Sequence, residues 1–512
     1  MRRIGIDVGG TNTDAVLIEN GRVTGAVKAP TTPDVTSGIL DGLARLIATG
    51  AVAEKPADAV MIGTTHFINA VVQRRGLSRV GAIRIGMPAS ASLSPFCDWP
   101  ADLAEVVRGP IAMVEGGHDY DGRPFMPLDT GAVRDAARAM AVRGIRSVAI
   151  SAIFSPLDPS QERAAAEIVA EEIPSVAVTC SSDLGRIGLL ERENAALLNA
   201  ALADLAQETI AAFETAIADS GLAAPLYITQ NDGTVAAAAQ ALQLPIYSFA
   251  SGATNSMRGA AYLSGIADAM VIDVGGTTTD VGQIRRGFPS EANSVVKIGG
   301  VRTLFRMPDL LSIGLGGGSH VSLDPLSIGP LSVGYRLTED ALAFGGTQLT
   351  TSDIGIAAGL LKIGKPAKVA HLDSDRCRRV LELVHAMVEE SIDRVKTEAG
   401  DVVLLAVGGG AFLVPEALEG VREVVRVVHG DCANAVGAAI AQVSGEVDQV
   451  FQNMTREQAI SVAGRLAFDR AKAAGADSAT LSVIDTEDIP IAYLPGNARR
   501  VRVRCVGDVA GA

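Results

Sequence analysis

The sequence predicts an α/β protein with two large domains, and three observations support this. The chain has 512 residues, which at roughly 150 residues per domain corresponds to two to four domains. Hydrophobic residues make up 48% of the chain and charged residues 20%, a balance typical of a globular protein with a packed core. The 55 glycines and only 4% aromatic residues indicate many tight turns and helices that pack through small side chains, as in α/β enzymes.

Composition also excludes several functional classes. The formal net charge is −14, and no run of Lys or Arg is longer than a pair, so nucleic acid is not expected as a partner. No apolar run approaches the roughly 18–20 residues of a membrane span, so no membrane partner is expected either. The five cysteines lie far apart without a Cys-x-x-Cys pair, which favours a reduced, cytoplasmic protein over a disulfide framework or a structural zinc site.

An internal repeat is the strongest signal in the chain. The segment Asp7–Asp14 recurs 266 positions later as Asp273–Asp280, and the two copies differ only at Asn12 and Thr278. Each copy stands between two short apolar strands, and a polar turn with glycine follows; the predicted strands are Ile4–Val8, Ala15–Ile18, Val271–Val274 and Val281–Ile284. The pattern predicts two β-hairpins. It does not fit a Walker loop or a Rossmann turn, because no helix follows the glycines directly.

The two predicted hairpins carry residues suited to a nucleotide with a divalent cation. Small residues let the backbone approach closely, and successive N–H groups and threonine hydroxyls can bind phosphate oxygens. The candidate phosphate-binding residues are Gly9, Gly10, Thr11, Asn12, Thr13, Gly275, Gly276, Thr277, Thr278 and Thr279. A carboxylate at the end of each first strand, Asp7 or Asp273, can hold Mg²⁺ through water. Asp14 and Asp280 end the turns, where they either cap backbone N–H groups or orient the attacked oxygen or a water.

Further elements follow in order. The strand Leu404–Val407 leads into Gly408, Gly409 and Gly410, against which an adenine ring can lie. Two Gly/Ala-rich helices, Ser256–Ser264 and Ala433–Ser444, have small faces that allow the close packing of a hinge between lobes; ordinary core helices are the alternative. The C-terminal part is predicted as a helix and two strands: Arg456–Ala474, Thr480–Asp485 and Arg500–Val506.

In this order, the hairpins, the small-residue helices and the triple glycine resemble the actin/sugar-kinase/Hsp70 ATPase superfamily. The two hairpins would be its phosphate segments and Gly408–Gly410 its adenosine segment. The resemblance implies an α/β, two-lobed actin-like ATPase (ribonuclease H-like) fold with a nucleotide cleft between the lobes and closure as its working motion.

Within that superfamily the sequence is similar to the hydantoinase A/5-oxoprolinase family. The motifs that carry this similarity are Gly63–Ala70 with Arg74-Arg75-Gly76, Leu190–Asn194 with Leu198–Ala200, Pro225–Gly233, Ser312–Ser319 and Gly329-Pro330. The similarity implies an N-terminal domain in residues 1–180 with the first hairpin, an ATPase domain in 181–455 with the second hairpin and the adenosine segment, and a C-terminal α/β extension in 456–512.

Two of these motifs supply further candidate site residues. Thr64, Thr65 and Asn69 would face the substrate; the alternative is that Thr64 or Thr65 only caps a helix. Gly316, Gly317 and Gly318 would cover the nucleotide, a plain flexible loop being the alternative. His66 lies in the first motif, but a lone histidine is weak evidence for a base or a metal ligand. The implied catalytic residues are Asp7, Asp14, Asn69, Asp273 and Asp280.

Family members open cyclic amides such as 5-oxoproline and N-methylhydantoin with ATP and Mg²⁺, and relatives carboxylate ketones, with separate partner subunits. The resemblance therefore implies an ATP-dependent cyclic amide hydrolase that works with a separately encoded subunit. The ATPase subunit of a ketone carboxylase, a small-molecule kinase and an activator ATPase are the alternatives. A strong sugar-kinase substrate motif is absent, and known activators use Cys-ligated iron–sulfur clusters for which the cysteine spacing is unsuited.

The sequence departs from the family pattern at three places. The usual Ser-Gly-Pro-Ala-Ala-Gly is Ser251–Ser256 here, a Glu-Arg pair is replaced by Gly117-His118, and Tyr335–Gly346 stands where a cysteine-containing stretch is usual. In the family, these three places would contact the substrate or the partner subunit. All segments that would bind phosphate, in contrast, retain the family pattern. ATP binding is therefore the firmer expectation and the identity of the ring substrate is left open.

Overall fold

The computed structural model describes residues 1–9, 12–30, 35–50, 56–185, 187–292, 294–492, 494 and 496–510. The strands are β1 Arg2–Val8, β2 Asn12–Glu19, β3 Arg22–Pro30, β4 Ala59–Thr64, β5 Val80–Met87, β6 Arg108–Glu115, β7 Ser147–Ala152, β8 Ala177–Cys180, β9 Leu226–Thr229, β10 Thr234–Ala237, β11 Ala269–Val274, β12 Thr279–Arg285, β13 Phe288–Pro289, β14 Val296–Ile298, β15 Val301–Thr303, β16 Leu310–Ile313, β17 Ser319–Leu323, β18 Leu326–Ser332, β19 Val402–Val407, β20 Val421–Arg426, β21 Gln442–Phe451, β22 Ser482–Pro490 and β23 Arg499–Gly507. The helices are α1 Val35–Ala48, α2 His66–Gln73, α3 Ala101–Val107, α4 Thr130–Val142, α5 Ser160–Glu172, α6 Leu189–Ala201, α7 Ala203–Asp219, α8 Ala238–Ala241, α9 Ser251–Ser264, α10 Leu337–Asp340, α11 Thr351–Ala357, α12 Ser374–Val395, α13 Ala433–Ala439 and α14 Arg456–Ala473.

Two mixed sheets are built on the two hairpins. The larger has nine strands in the order β22-β23-β21-β10-β9-β4-β1-β2-β3, and the smaller runs β13-β12-β11-β19-β20 with β16 also paired to β12. In both, the first hairpin strand pairs antiparallel with the second and parallel with a later strand, β4 or β19. The same core arrangement therefore occurs twice, which confirms the predicted α/β, two-lobed, actin-like (ribonuclease H-like) fold class.

The two hairpins have the same register. Asp7 lies opposite Asp14 in the first hairpin, and Asp273 lies opposite Asp280 in the second. Both hairpin predictions are confirmed, and each hairpin places two carboxylates side by side at the end of its first strand.

β1 is buried on both faces, as expected of a strand with helices on both sides of its sheet. Ile4, Ile6 and Val8 pack with side chains of α1 and α7. On the other face Gly5 lies against α13, where an added Cβ would come within 2.0 Å of the Ala435 carbonyl oxygen. Glycine at this position is what lets the helix lie directly on the strand.

A separate four-stranded sheet of parallel strands has the order β6-β5-β7-β8. Helix α6 attaches it to the rest of the molecule through a buried ion pair between Arg84 and Glu193. Ser151 donates a further hydrogen bond to Glu193, at 2.6 Å, and Trp99 donates one of 2.7 Å to Asn194. The motif Leu190–Asn194 thus has an architectural role in this structure.

The prediction for the second small-residue helix is wrong beyond Ala439. The helix ends there, and β21 begins at Gln442 and joins the nine-stranded sheet between β10 and β23. The reason is an alternation of period two, in which Val443 and Val447 are buried under α14 while Ser444 and Glu446 face the other side.

The other predicted elements are confirmed with small changes in their bounds. The first small-residue helix is α9, which begins at Ser251. The C-terminal helix and strands are α14, β22 and β23, and β22 runs on to Pro490. β22 and β23 form one edge of the nine-stranded sheet. Among the described helices, none has the length and apolar character needed to cross a membrane.

Candidate nucleotide site

Helices α9 and α13 cross in contact between the two hairpins. A Cβ added to Gly259 would lie 1.9 Å from the Ala433 carbonyl oxygen, and one added to Gly437 would lie 1.8 Å from the Asn255 carbonyl oxygen. The two helix backbones therefore touch, and only glycine fits at the crossing. The predicted close packing of these helices is present, while a hinge motion stays a prediction.

Each helix supplies a hydrogen bond to one hairpin carboxylate. Asn434 of α13 donates to Asp7 Oδ2 at 2.8 Å, and Ser256 of α9 donates to Asp273 Oδ2 at 2.5 Å. The two first-strand carboxylates are thus held in similar ways from opposite sides of the helix crossing.

Burial disfavours the charged form of all four hairpin carboxylates. It raises the pKa of Asp7 to about 7, with Asp14 and Asp273 adding to the rise and the side-chain amides of Asn434 and Asn255 opposing it. Burial raises the pKa of Asp280 to about 6 against a hydrogen bond from Ser312. The pKa values of Asp14 and Asp273 are also raised by burial.

One ammonium group lies beside these acids. Lys28, on β3, is 2.6 Å from Asp14 Oδ1 and donates to the Asp431 carbonyl at 3.1 Å. Burial alone would lower the pKa of Lys28, but the carboxylate of Asp14 outweighs this and holds the pKa above its usual value. Lys28 therefore neutralises one of the four acids.

The remaining acids fit a divalent cation. Asp7 Oδ1 is buried and accepts no hydrogen bond from the described residues. Glycines leave room beside both first-strand carboxylates: a Cβ on Gly63 would lie 2.6 Å from Asp7 Oδ1, and one on Gly408 would lie 2.2 Å from Asp273 Oδ1. Among the described residues no three His, Cys, Asp or Glu side chains form a metal-binding group, so a cation here would complete its shell with water or phosphate, as Mg²⁺ commonly does.

Two glycine segments close around the second hairpin. Gly317 N–H donates to the Gly275 carbonyl at 2.9 Å, and Gly318 N–H donates to the Gly276 carbonyl at 2.7 Å. Gly410 N–H donates to the Val274 carbonyl at 2.7 Å. The structure thus brings Gly316–Gly318 and Gly408–Gly410 to the same turn, and the first of these segments is a hydrogen-bonded loop.

The first hairpin closes in the same way as the second. Gly9 N–H donates to the Asn12 carbonyl at 3.1 Å, and Gly275 N–H donates to the Thr278 carbonyl at 2.9 Å. Thr13 is fully buried beside Asp14. The candidates Gly10 and Thr11 lie outside the described residues.

The remaining candidate site residues lie at the turn after β4 and at the start of α2. Thr64 Oγ1 accepts the His66 N–H at 3.1 Å, so Thr64 takes the capping role. Thr65 makes no capping hydrogen bond and receives one of 3.4 Å from the exposed Asn69 side chain. Thr65 lies near Gly252, whose added Cβ would also be 3.7 Å from Asp7 Oδ1. Burial lowers the pKa of His66.

Sequence reasoning missed Lys28, Asn434 and the role of Ser256. Lys28 stands on the strand after the first hairpin, and a lysine in a predicted strand carries no distinctive signal. Asn434 and Ser256 were visible as polar residues at the starts of predicted small-residue helices. Their relation to the aspartates depends on the helix crossing, which the sequence pattern does not specify.

Two family models match the chain. The model described as the hydantoinase/oxoprolinase N-terminal region matches residues 3–173, and the model described as hydantoinase/oxoprolinase matches residues 192–397.

Curated relatives are subunits of larger enzymes. The chain is 26% identical to the alpha subunit of caprolactamase from Pseudomonas jessenii, over 84% of this chain and 69% of that one. It is 29% identical to the gamma subunit of acetophenone carboxylase from Aromatoleum aromaticum, over 70% and 53%. It is 26% identical to the beta subunit of acetone carboxylase from Xanthobacter autotrophicus, over 81% and 60%. The chain thus spans less than two thirds of the length of the two carboxylase subunits.

Two solved structures share the fold. ATP-dependent caprolactamase from Pseudomonas jessenii has a TM-score of 0.76 at 21% identity, covering 99% of this chain and 87% of that one. Nucleotide-free acetone carboxylase has a TM-score of 0.70 at 19% identity, covering 100% and 89%. Because the two family models together match well over half of the residues, the chain belongs to the hydantoinase/oxoprolinase family.

Proposed function

We propose that this chain is the ATP-dependent subunit of an enzyme that activates a cyclic amide, such as a hydantoin, 5-oxoproline or a related lactam, by phosphoryl transfer. The observation that carries the proposal is the cluster of four carboxylates on two hairpins of nearly identical sequence, in which α13 and α9 each hold one first-strand aspartate, Asp7 and Asp273. Caprolactamase, whose name denotes opening of a cyclic amide, is among the relatives.

The chemistry explains why ATP would be needed. An amide resists water at neutral pH because resonance stabilises its carbonyl and its nitrogen is a poor leaving group. ATP with Mg²⁺, when bound, would supply a phosphoryl group for the carbonyl oxygen, which removes the resonance and activates the carbon for attack by water.

The residues of this chain then have distinct roles. Asp7 and Asp273 would hold Mg²⁺, and the hydrogen bonds from Asn434 and Ser256 fix their orientation. Gly9–Thr13 and Gly275–Thr279 would bind the phosphates through backbone N–H groups and hydroxyls. Gly316–Gly318 and Gly408–Gly410 would enclose the nucleotide.

The substrate that accepts the phosphoryl group would lie against the residues around the second strand of each hairpin and against the turn after β4. Asp14, paired with Lys28, and Asp280, bound by Ser312, would orient the attacked oxygen or a water. Thr65 and Asn69, which contact each other beside Gly252, would face the ring. Thr64 would support that turn from within.

A separately encoded partner subunit belongs to the proposal. The three relatives are named as alpha, gamma and beta subunits, and an activated amide exposed to bulk water would be lost to side reactions. The partner would complete the site in which the ring is opened.

A second candidate is the ATPase subunit of a ketone carboxylase, since two relatives are carboxylase subunits. There the phosphoryl group would activate an enolate oxygen in place of an amide oxygen. The hairpin site is equally suited to both reactions, so the substrate decides between them.

The test is phosphate release by the purified chain with Mg²⁺ and ATP, with and without its partner subunit, against a panel of lactams, hydantoins and ketones. The proposal predicts stimulation by a cyclic amide and ring-opened product only with the partner present. Stimulation by a ketone that also requires bicarbonate would favour the carboxylase, and a stable phosphorylated product would favour a small-molecule kinase.

A further inference from the structure

A large cavity lies away from the four hairpin carboxylates, between two sheets. Its volume is about 770 Å³, within the range of roughly 300–1,000 Å³ typical of small-molecule sites. One side is formed by the segments that follow β7 and β8, including Ser155 and Ser182. In open α/β sheets, ligands bind outside the carboxyl ends of parallel strands, and this cavity occupies that place for the four-stranded sheet.

The cavity has an apolar wall and a polar wall. The apolar wall is formed by Leu157, Leu184, Leu244, Tyr247 and Phe305. The polar wall includes Gln230 together with Ser155 and Ser182, whose hydroxyl oxygens are buried without a hydrogen-bond partner among the described residues. Buried polar atoms without partners are costly, and a bound polar group would relieve that cost.

The charges around the cavity are paired with one exception. Five arginines line it, and four of them form ion pairs with lining carboxylates: Arg163 with Asp183, Arg306 with Glu446, Arg500 with Asp448, and Arg502 with Glu291. The fifth, Arg470 on α14, donates to the Glu446 carbonyl oxygen at 2.6 Å and has no carboxylate partner among the residues that the structure describes. Arg470 is exposed and so stands at the rim.

We propose that this cavity binds a small monocarboxylate that carries a second polar group at the far end of a short hydrocarbon chain. The single unpaired guanidinium of Arg470 accommodates one negative charge. The apolar wall covers the hydrocarbon chain, and the serine hydroxyls meet the second polar group. A polyanion does not fit, because the other four arginines are already neutralised and four carboxylates line the same space.

The ligand class has a chemical connection with the proposed function. Opening a cyclic amide produces a carboxylate with an amine or ureido group further along the chain, which is a compound of this class. This connection rests on the proposed function, whereas the binding site rests on the cavity alone and is tested without nucleotide.

The experiment is calorimetric titration of the full-length chain with N-carbamoyl-β-alanine and, in parallel, with its primary amide, which lacks the negative charge. We expect saturable binding of the carboxylate at one site. The affinity for the amide should be at least about tenfold lower, because the amide lacks one charge-assisted hydrogen bond. Arg470→Gln should weaken carboxylate binding by a similar factor. Arg465→Gln, an exposed arginine of the same helix outside the cavity, should bind as the wild type does.

A second variant tests the place of binding. Gln243 is exposed and lines the cavity, so Gln243→Trp should obstruct it and abolish binding with little effect on folding. Absence of saturable binding by the wild type, equal affinity for acid and amide, or wild-type affinity in either Arg470→Gln or Gln243→Trp would overturn the proposal. None of these outcomes depends on ATP turnover, so they leave the proposed function to be judged separately.

Discussion

At the scale of single residues, the four hairpin carboxylates are the groups on which the proposed chemistry depends. They lie close together; Asp7 and Asp14 are buried and Asp273 and Asp280 are partly buried, and one lysine offsets Asp14. A buried carboxylate without an opposite charge is costly, and this cost is consistent with a site that is complete only when a cation is bound.

Replacement of the first-strand aspartates tests this role. Asp7→Asn and Asp273→Asn keep the size of the side chain but remove the charge that would hold Mg²⁺. Changes to groups that merely support a metal ligand cost roughly 10–100-fold, so loss of a ligand should lower phosphate release by more than about 100-fold. Asp41→Asn, at a half-exposed aspartate paired with Arg45 on α1, is the control and should be unaffected. Normal phosphate release from Asp273→Asn would refute the two-hairpin site.

The pKa shifts predict how stability varies with pH in the metal-free protein. The pKa of Asp7 is raised from 3.8 to about 7, and that of Asp280 to about 6. Between the unfolded and folded values the folded state holds protons that the unfolded state has released. The free energy of unfolding should therefore fall as pH rises from about 4 to about 7.

The measurement is urea denaturation across that pH range without divalent cations. Asp7→Asn cannot titrate, so the stability of this variant relative to the wild type should increase as pH rises. A wild-type advantage that grows towards pH 7 would contradict the raised pKa of Asp7.

Some residues of the site could be predicted from the sequence and others could not. Asp7 and Asp273 stand out because their segment is repeated almost without change. Asn434 does not stand out, since it contacts Asp7 across 427 positions of the chain. Lys28 reaches Asp14 only because β3 lies beside β2 in register. Contacts of this kind follow from tertiary structure and leave no local pattern.

At the scale of elements, the crossing of α9 and α13 connects the two hairpins. Gly259 and Gly437 put the helix backbones in contact. The sequence predicted this contact from the small residues of both helices, but it overextended the second helix, because the Ala- and Val-containing run continues into β21. Period-two burial from Val443 onwards distinguishes the strand.

A single added methyl group tests the crossing. In Gly259→Ala the new Cβ would lie 1.9 Å from a backbone oxygen, so the helices must move apart. We expect a loss of about 1–3 kcal/mol in the free energy of unfolding, together with reduced phosphate release, measured by urea denaturation and a phosphate assay. Gly464→Ala in α14 is the control, because its Cβ meets no atom within 4 Å; it should be neutral or more stable by up to about 1 kcal/mol. Equal stability of Gly259→Ala and the wild type would show that the helices tolerate separation.

At the scale of the whole molecule, the predictable part of the fold is the part that is repeated. The two hairpins, the strand before the triple glycine and the two small-residue helices follow from local patterns. The nine-stranded sheet does not, because β9, β10, β21, β22 and β23 come from distant parts of the chain. The division at residues 180 and 455 therefore stays a prediction, and strands on both sides of these positions share one sheet.

The central claim is that this molecule transfers a phosphoryl group to the carbonyl oxygen of its substrate. The most direct test supplies the complete enzyme, including its partner subunit, with Mg²⁺, ATP and a cyclic amide whose carbonyl carries a heavy oxygen isotope. Transfer makes a bond from that oxygen to the γ-phosphorus and releases ADP. Attack of one water at the activated carbon breaks the ring C–N bond, the nitrogen takes up a proton, and an acyl phosphate remains. Attack of a second water at the acyl carbon then breaks the bond between carbon and the labelled oxygen and releases phosphate. The account predicts that mass spectrometry finds the label in the released phosphate, in proportion to ring opening. Ring opening with wholly unlabelled phosphate would contradict it.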